Sequence, residues 1–340
     1  MSLRLSIGFA LFAAQALFSL AHAQSYSLTP IGSLGGGGTN ASALNNVGDV
    51  VGCSLAVING SPTARGFVYR NGLMMDIGSL VSGGSSCAND INDSGQITGF
   101  SATATGEQRG FIYQNGTMTS LGDLGTSSVG EAINNSGIVA GTANNVSDDL
   151  FVGGFFYDAR MSPPQVSLGS LGGAAVTSRG MNAAGDIIGF AANAEFRGTS
   201  HLYRNGVITD LGTVLGFPST PNAINDLGDV VGTRTEGGYL LSNGTVTTLV
   251  GLEGNRASPQ SINNSGDIVG QSWTANGNRA LVIRQGVTVD LNTVIAASSP
   301  DRAFVTLEAA DDINNNGWII AEGVDSRTGE RGSYLLRPLP

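Results

Sequence analysis

The stretch ALNNVGDVVG at residues 43–52 returns six times: DINDSGQITG at 90–99, AINNSGIVAG at 132–141, GMNAAGDIIG at 180–189, AINDLGDVVG at 223–232, SINNSGDIVG at 261–270 and DINNNGWIIA at 312–321. Its leading asparagines are Asn45, Asn92, Asn134, Asn182, Asn225, Asn263 and Asn314, spaced 38 to 51 residues apart. A repeat of this period marks one supersecondary unit copied along the chain. Three positions after each asparagine stands a glycine: Gly48, Gly95, Gly137, Gly185, Gly228, Gly266 or Gly317. Asn at the first and Gly at the fourth position is the preference of a type I turn, because the Asn side chain bonds the turn backbone and Gly accepts positive φ. With apolar residues on both sides, the phrase reads as strand, turn, strand.

Working outward, a third strand rich in aromatic and branched residues follows: GFVYRNG from Gly66, GFIYQNG from Gly110, GFFYDAR from Gly154, SHLYRNG from Ser200, GYLLSNG from Gly238 and ALVIRQG from Ala280. Four of these end in Asn-Gly, at Asn71, Asn115, Asn205 and Asn243, the strongest short-range hairpin signal. A fourth strand follows, as in LMMDIG from Leu73 and VITDLG from Val207, and leads into a Leu-Gly link. Four antiparallel strands in each of seven units predict an all-β chain forming a seven-bladed β-propeller. The chain ends in a third strand, SYLLRPLP from Ser333, and near its start SYSLTPIGSLGG from Ser25 reads as an orphan fourth strand. Pairing of these N- and C-terminal strands would close the ring, whereas an open solenoid would want polar caps.

Residues 1–23 carry Arg4, an apolar run from Leu5 to Leu20 broken by Gln15, and Ala21-His22-Ala23 as an A-x-A cleavage signal. The expected product is a single propeller domain over 24–340, secreted to the periplasm or the extracellular space after cleavage between Ala23 and Gln24. The run is too short for a membrane span, and no membrane anchor is expected.

Composition narrows function. Among 340 residues there are 51 glycines without a three-residue period, which argues for turns and against collagen. All 16 basic residues are arginine, so Schiff-base chemistry and a P-loop lysine are excluded. The net charge of −10, without a basic stripe, argues against nucleic acid as a partner. His22 and His201 are the only histidines, and G-x-S-x-G, H-E-x-x-H and paired C-x-x-C are absent.

The units also resemble the predicted extracellular repeats called HAF, whose typical unit reads LGG, then A-x-x-I-N-x-x-G-x-V-x-G, then His-Ala-Phe and an aromatic residue before N-G. The resemblance covers all seven units and is specific in the Ile-Asn-x-x-Gly phrase and in the Leu-Gly-Gly links at Leu34 and Leu171. It departs at the triplet, where Arg65-Gly66-Phe67 and Arg109-Gly110-Phe111 replace His-Ala-Phe. It implies bacterial secretion and a propeller-like fold, and it implies no particular activity.

Several residues are candidates for chemistry. Cys53 and Cys87 lie toward one rim of neighbouring blades, Cys53 at the end of a second strand, and in an oxidising compartment they invite a disulfide. His201 stands where sister units carry Phe67, Phe111 and Phe155, which suits a packed side chain better than a catalytic one. The turns at Asp90-Ile-Asn92-Asp93-Ser94-Gly95 and Asp312-Ile-Asn314-Asn315-Asn316-Gly317 match the start of a calcium loop. Position twelve of each is Ser101 or Gly323 rather than Glu, so calcium is a minor expectation and a plain turn the main one. Carboxylates recur in the fourth strand at Asp76, Asp210 and Asp290, which argues for structure. Loops after the second strand differ most between units, from Ser54 to Ala64 in the first and Thr142 to Gly153 in the third, shrinking to Thr233 to Gly237 in the fifth. Variable loops on a rigid scaffold usually carry binding, and Asp148, Asp149, Phe151, Trp273, Arg279 and Arg327 are the contacts expected there.

The sequence therefore points to a non-catalytic extracellular binding or scaffolding module for a polysaccharide or a protein, with no cofactor required. One rival is a polysaccharide hydrolase or lyase, which would show carboxylates with raised pKa around the central funnel. Another is a structural surface or matrix protein, which would self-associate without ligand.

Overall fold

A computed structural model describes residues 24–144 and 152–340. Seven four-stranded antiparallel blades stand in a ring. Blade 1 runs Gly35–Leu44, Val50–Ile58, Ser61–Arg70 and Leu73–Asp76 from the axis outward. The innermost strands of blades 2 to 7 are Ser86–Ile91, Ser127–Ile133, Gly172–Met181, Thr220–Ile224, Ala257–Ile262 and Val305–Ile313. Blade 7 is composite: Val305–Ile313, Ile319–Asp325 and Glu330–Pro338 come from the C-terminal end, and Tyr26–Pro30 adds the outer strand. Tyr26 pairs with Pro338 and Pro30 with Tyr334, so the two ends of the described chain close the ring.

The repeated phrase explains why blades stack. Adjacent residues of a strand face opposite sides of its sheet, and every blade is covered on both sides. In blade 1, Val50 enters the cluster shared with blade 7 and Val51 the cluster shared with blade 2. Ile319 and Ile320, Ile187 and Ile188, Val230 and Val231, and Ile268 and Val269 divide in the same way. Seven apolar clusters fill the seven blade boundaries, and each fully buried Val or Ile contributes about 1.5–3 kcal/mol.

Punctuation follows backbone chemistry. At the outer hairpins Asn71, Asn115, Asn205 and Asn243 have φ between 49 and 52° and are each followed by a positive-φ glycine. Asp76, Asp210 and Asp290 end their strands by accepting from the N–H two residues on, at Gly78, Gly212 and Asn292. In blade 4 that cap starts the short helix Leu211–Leu215.

Two expectations are corrected. The stretch from Ser54 to Ala64 is not a loop, because Asn59-Gly60 forms another positive-φ turn and both strands extend to it. Cys53 consequently sits inside its strand rather than at its end. Its disulfide to Cys87, 34 positions further along the sequence and with Cα atoms 4.9 Å apart, ties blade 1 to blade 2. A loop of that length contributes about 4 kcal/mol through the unfolded state.

Candidate functional site

The site is built from the innermost strands, held in register by their turns. Each marker asparagine is buried, 3–6% exposed. Its Oδ1 accepts from the backbone of its own turn: Asn263 from Ser265 and Asp267, both at 3.0 Å. Its Nδ2 donates to the carbonyl of the same asparagine in the next blade. The steps Asn45 to Asn92, Asn92 to Asn134, Asn182 to Asn225, Asn225 to Asn263, Asn263 to Asn314 and Asn314 to Asn45 are all made, at 2.9–3.2 Å. The step from Asn134 to Asn182 is not among them.

A second circle runs one residue on. The N–H of Asn46, Asp93, Ala183, Asp226, Asn264 and Asn315 donates to the side chain at the same position of the following blade, at 2.8–2.9 Å. Only Asn135 lacks such an acceptor, since blade 4 offers Ala183.

Three residues before each marker asparagine the innermost strand carries a β-bulge. The pairing register shifts across Ser42, Asn89, Glu131, Arg179, Asn222, Gln260 and Asp311 in blades 1 to 7. A bulge leaves one residue unpaired and re-aims its side chain. All seven line a central cavity of about 540 Å³ on the axis. The last residue of the phrase belongs to the same device. A Cβ on Gly52, Gly99, Gly189 or Gly270 would lie 1.8–2.1 Å from a carbonyl oxygen of the adjacent inner strand. Blade 7 has Ala321 at this position, and its inner strand carries a second bulge, at Glu308.

The ring is polar at every position, and no two neighbours are alike. Burial pushes the Asp311 carboxyl up to about 7, helped by the negative Glu322 and Asp312, and its Oδ2 is buried without a hydrogen-bond partner among the described residues. Burial also raises Glu131, against the pull of Arg179 in the next blade. One residue on from the bulges, Asp90 and Asp312 tie blades together. Asp90 accepts from Ile91 and from Ile133 of blade 3, at 2.8 and 2.7 Å. Asp312 accepts from Ile313, from Leu44 of blade 1 and from the Ser261 hydroxyl. Burial raises both carboxyls, Asp90 to about 7, against these bonds. The acids that open the two calcium-like stretches are thus engaged by backbone N–H groups of two blades.

Of the six residues expected to bind on the loops, the structure describes three. Asp148, Asp149 and Phe151 lie outside the described residues, as does the leader 1–23. Trp273 is 69% exposed near the tip of a blade 6 hairpin. Arg279 pairs across from Ser272, so strand alternation puts it on the opposite face of that hairpin from Trp273. Arg327 belongs to blade 7, bonded to Asp325 and Asp301 with its guanidinium over Phe304. His201 is fully buried, its Nε2 2.9 Å from the Thr177 carbonyl, and burial lowers its pKa. The bulged ring was missed because its signal is a contrast: the position before A-I-N or its equivalents varies among polar types while its flanks repeat.

The fold defines a β-propeller. Among solved structures, the β-propeller domain of the trilobed protease of Pyrococcus furiosus, described as having an open velcro topology, is similar, with TM-score 0.58 and 10% identity over 88% of this chain and 93% of that one. TolB of Acinetobacter baumannii aligns with TM-score 0.43 and 11% identity over 72% of this chain, which spans 65% of TolB's length. A lectin of Aleuria aurantia aligns with TM-score 0.36 and 10% identity over 76% of this chain and 97% of that one. Likenesses of this depth show a fold and nothing about ligands. No family model and no curated protein matches the chain.

Proposed function

We propose that the chain is a non-catalytic extracellular binding propeller of the HAF-like repeat type, exported after cleavage between Ala23 and Gln24, that takes a polar ligand in its central channel. The observation that carries this reading is the ring of seven bulges, which aims seven polar side chains at one cavity while the rest of each unit repeats. Bulges are retained where a side chain must be re-aimed, and a cavity of this size suits a small ligand or the end of a polymer. The Cys53–Cys87 disulfide supports an oxidising compartment, and no helix among the described residues is long and apolar enough to cross a membrane. An extracellular polysaccharide or a protein segment is the class of partner.

The test is calorimetric titration of the 24–340 protein with oligosaccharides and short peptides, beside a variant whose channel is filled by Gln260→Trp. Binding that disappears in the filled variant supports the channel. Binding that survives it moves the site to the loop face around Trp273.

The raised carboxyls of Asp311 and Glu131 favour a second reading, a hydrolase or lyase acting on polysaccharide. They stand three blades apart, and a glycosidase needs two carboxyls flanking one bond. Release of reducing ends by the wild type and not by Asp311→Asn would establish that reading.

A further inference from the structure

The channel is uneven around its axis, and the unevenness names a ligand class; this step rests on the channel reading above. Arg179 of blade 4 is the single cation of the bulged ring, is exposed, and makes no ion pair among the described residues; its ring neighbour Glu131 feels its charge, but burial holds that carboxyl toward its neutral form. Blade 7 is three blades away in one direction and four in the other, so Asp311 and Asp312 stand nearly across the axis from Arg179. Among the described residues Asp311 Oδ2 has no hydrogen-bond partner, and the charged groups acting on this carboxyl are both acids, Glu322 and Asp312. Between the poles, Asn89, Asn222 and Gln260 supply amides that can both donate and accept. Among the described residues no aromatic side chain lines the cavity, so a sugar ring would find no face to stack on there.

A neutral hydroxyl or amide can donate to the buried carboxylate oxygen, but without charge assistance its bond is roughly half as strong as one from a cation. An ammonium satisfies that oxygen with a charge-assisted bond, and a carboxylate satisfies Arg179 with a bidentate one. We infer that the channel selects small zwitterions carrying an ammonium group at one end and a carboxylate at the other, of the amino-acid or short-peptide kind, with the ammonium at Asp311 and the carboxylate at Arg179.

The experiment is titration calorimetry of the 24–340 protein at neutral pH. The probes are glycylglycine, its N-acetyl and C-amide forms, ω-amino acids from glycine to ε-aminocaproate, and neutral mono- and oligosaccharides. The expected result is an optimum length in the ω-amino acid series and a loss of about tenfold or more in affinity when either end is blocked. Arg179→Gln should erase the penalty for the C-amide form only, and Asp311→Asn that for the N-acetyl form only. Neutral sugars binding more tightly, and losing that binding in Gln260→Trp, would overturn the zwitterion and leave the channel standing. Zwitterion binding unchanged in Gln260→Trp, and in Asn222→Trp as a second filled variant of wild-type melting temperature, would overturn both. No heat with any zwitterion would overturn the inference.

Discussion

Asn314 Nδ2 donates to the Asn45 carbonyl at 2.9 Å, joining residues 269 apart in sequence and making the bond by which blade 7 meets blade 1 at the axis. The same side chain accepts from Asn316 and Trp318 in its own turn, at 3.0 and 2.9 Å. One amide therefore holds a turn and a blade boundary at once. Asn314→Ala removes all three bonds and leaves buried groups unpaired, which should cost about 2–3 kcal/mol. Chemical denaturation of wild type and variant checks this, and a loss below half a kcal/mol would mean that water replaces the amide.

Both hydrogen-bond circles are interrupted at the boundary between blades 3 and 4, where Ala183 has no side-chain acceptor to offer Asn135. Ala183→Asn supplies the missing acceptor on an exposed turn. It should stabilise by about 0.5–1.5 kcal/mol, read as a rise in melting temperature. No rise would show that the two turns are held apart by packing rather than by the lack of an acceptor.

Two buried titratable groups pull pH dependence in opposite directions. Asp311 is held up to about 7, above its value of about 3.9 in the unfolded chain. Between these values the native state keeps a proton the unfolded chain has lost, so this group's stabilisation falls as pH rises and is gone above neutrality. Asp311→Asn should raise the melting temperature by about 2–5 °C at pH 8 and hardly at all at pH 4. His201 behaves oppositely: burial lowers its pKa, so stability is lost as pH falls below about 6.5. His201→Phe installs the residue found at Phe67, Phe111 and Phe155 and should remove that acid-side loss. Melting curves from pH 4 to 8 for both variants decide the matter.

Gly99 lies against the bulged inner strand of blade 2, where a Cβ would come 2.0 Å from the Cys87 carbonyl. Gly99→Ala must push that strand inward or break its pairing, so a loss of about 3 kcal/mol or more is expected. Ala321→Gly at the matching position of blade 7, where a methyl group is already accommodated, should cost about 1 kcal/mol or less. Equal effects in the two blades would show that the close approach is not what demands glycine.

The blade count, the two turn chemistries and the composite last blade were legible in the chain because they depend on neighbours in sequence. Asn-x-x-Gly and Asn-Gly are local backbone preferences, and the doubled apolar residues of VVG, IIG and IVG declare a strand covered on both faces. The pairing of Cys53 with Cys87 was legible for a related reason, since two cysteines in adjacent units have few other partners. The channel was not. Whether Glu131, Arg179 or Asp311 faces the axis depends on a bulge, which exists only in the register between two strands. The interrupted step between blades 3 and 4 likewise appears only when residues about 48 apart are brought side by side. Local chemistry set the units, and closure of the ring decided which of their variable residues share one cavity.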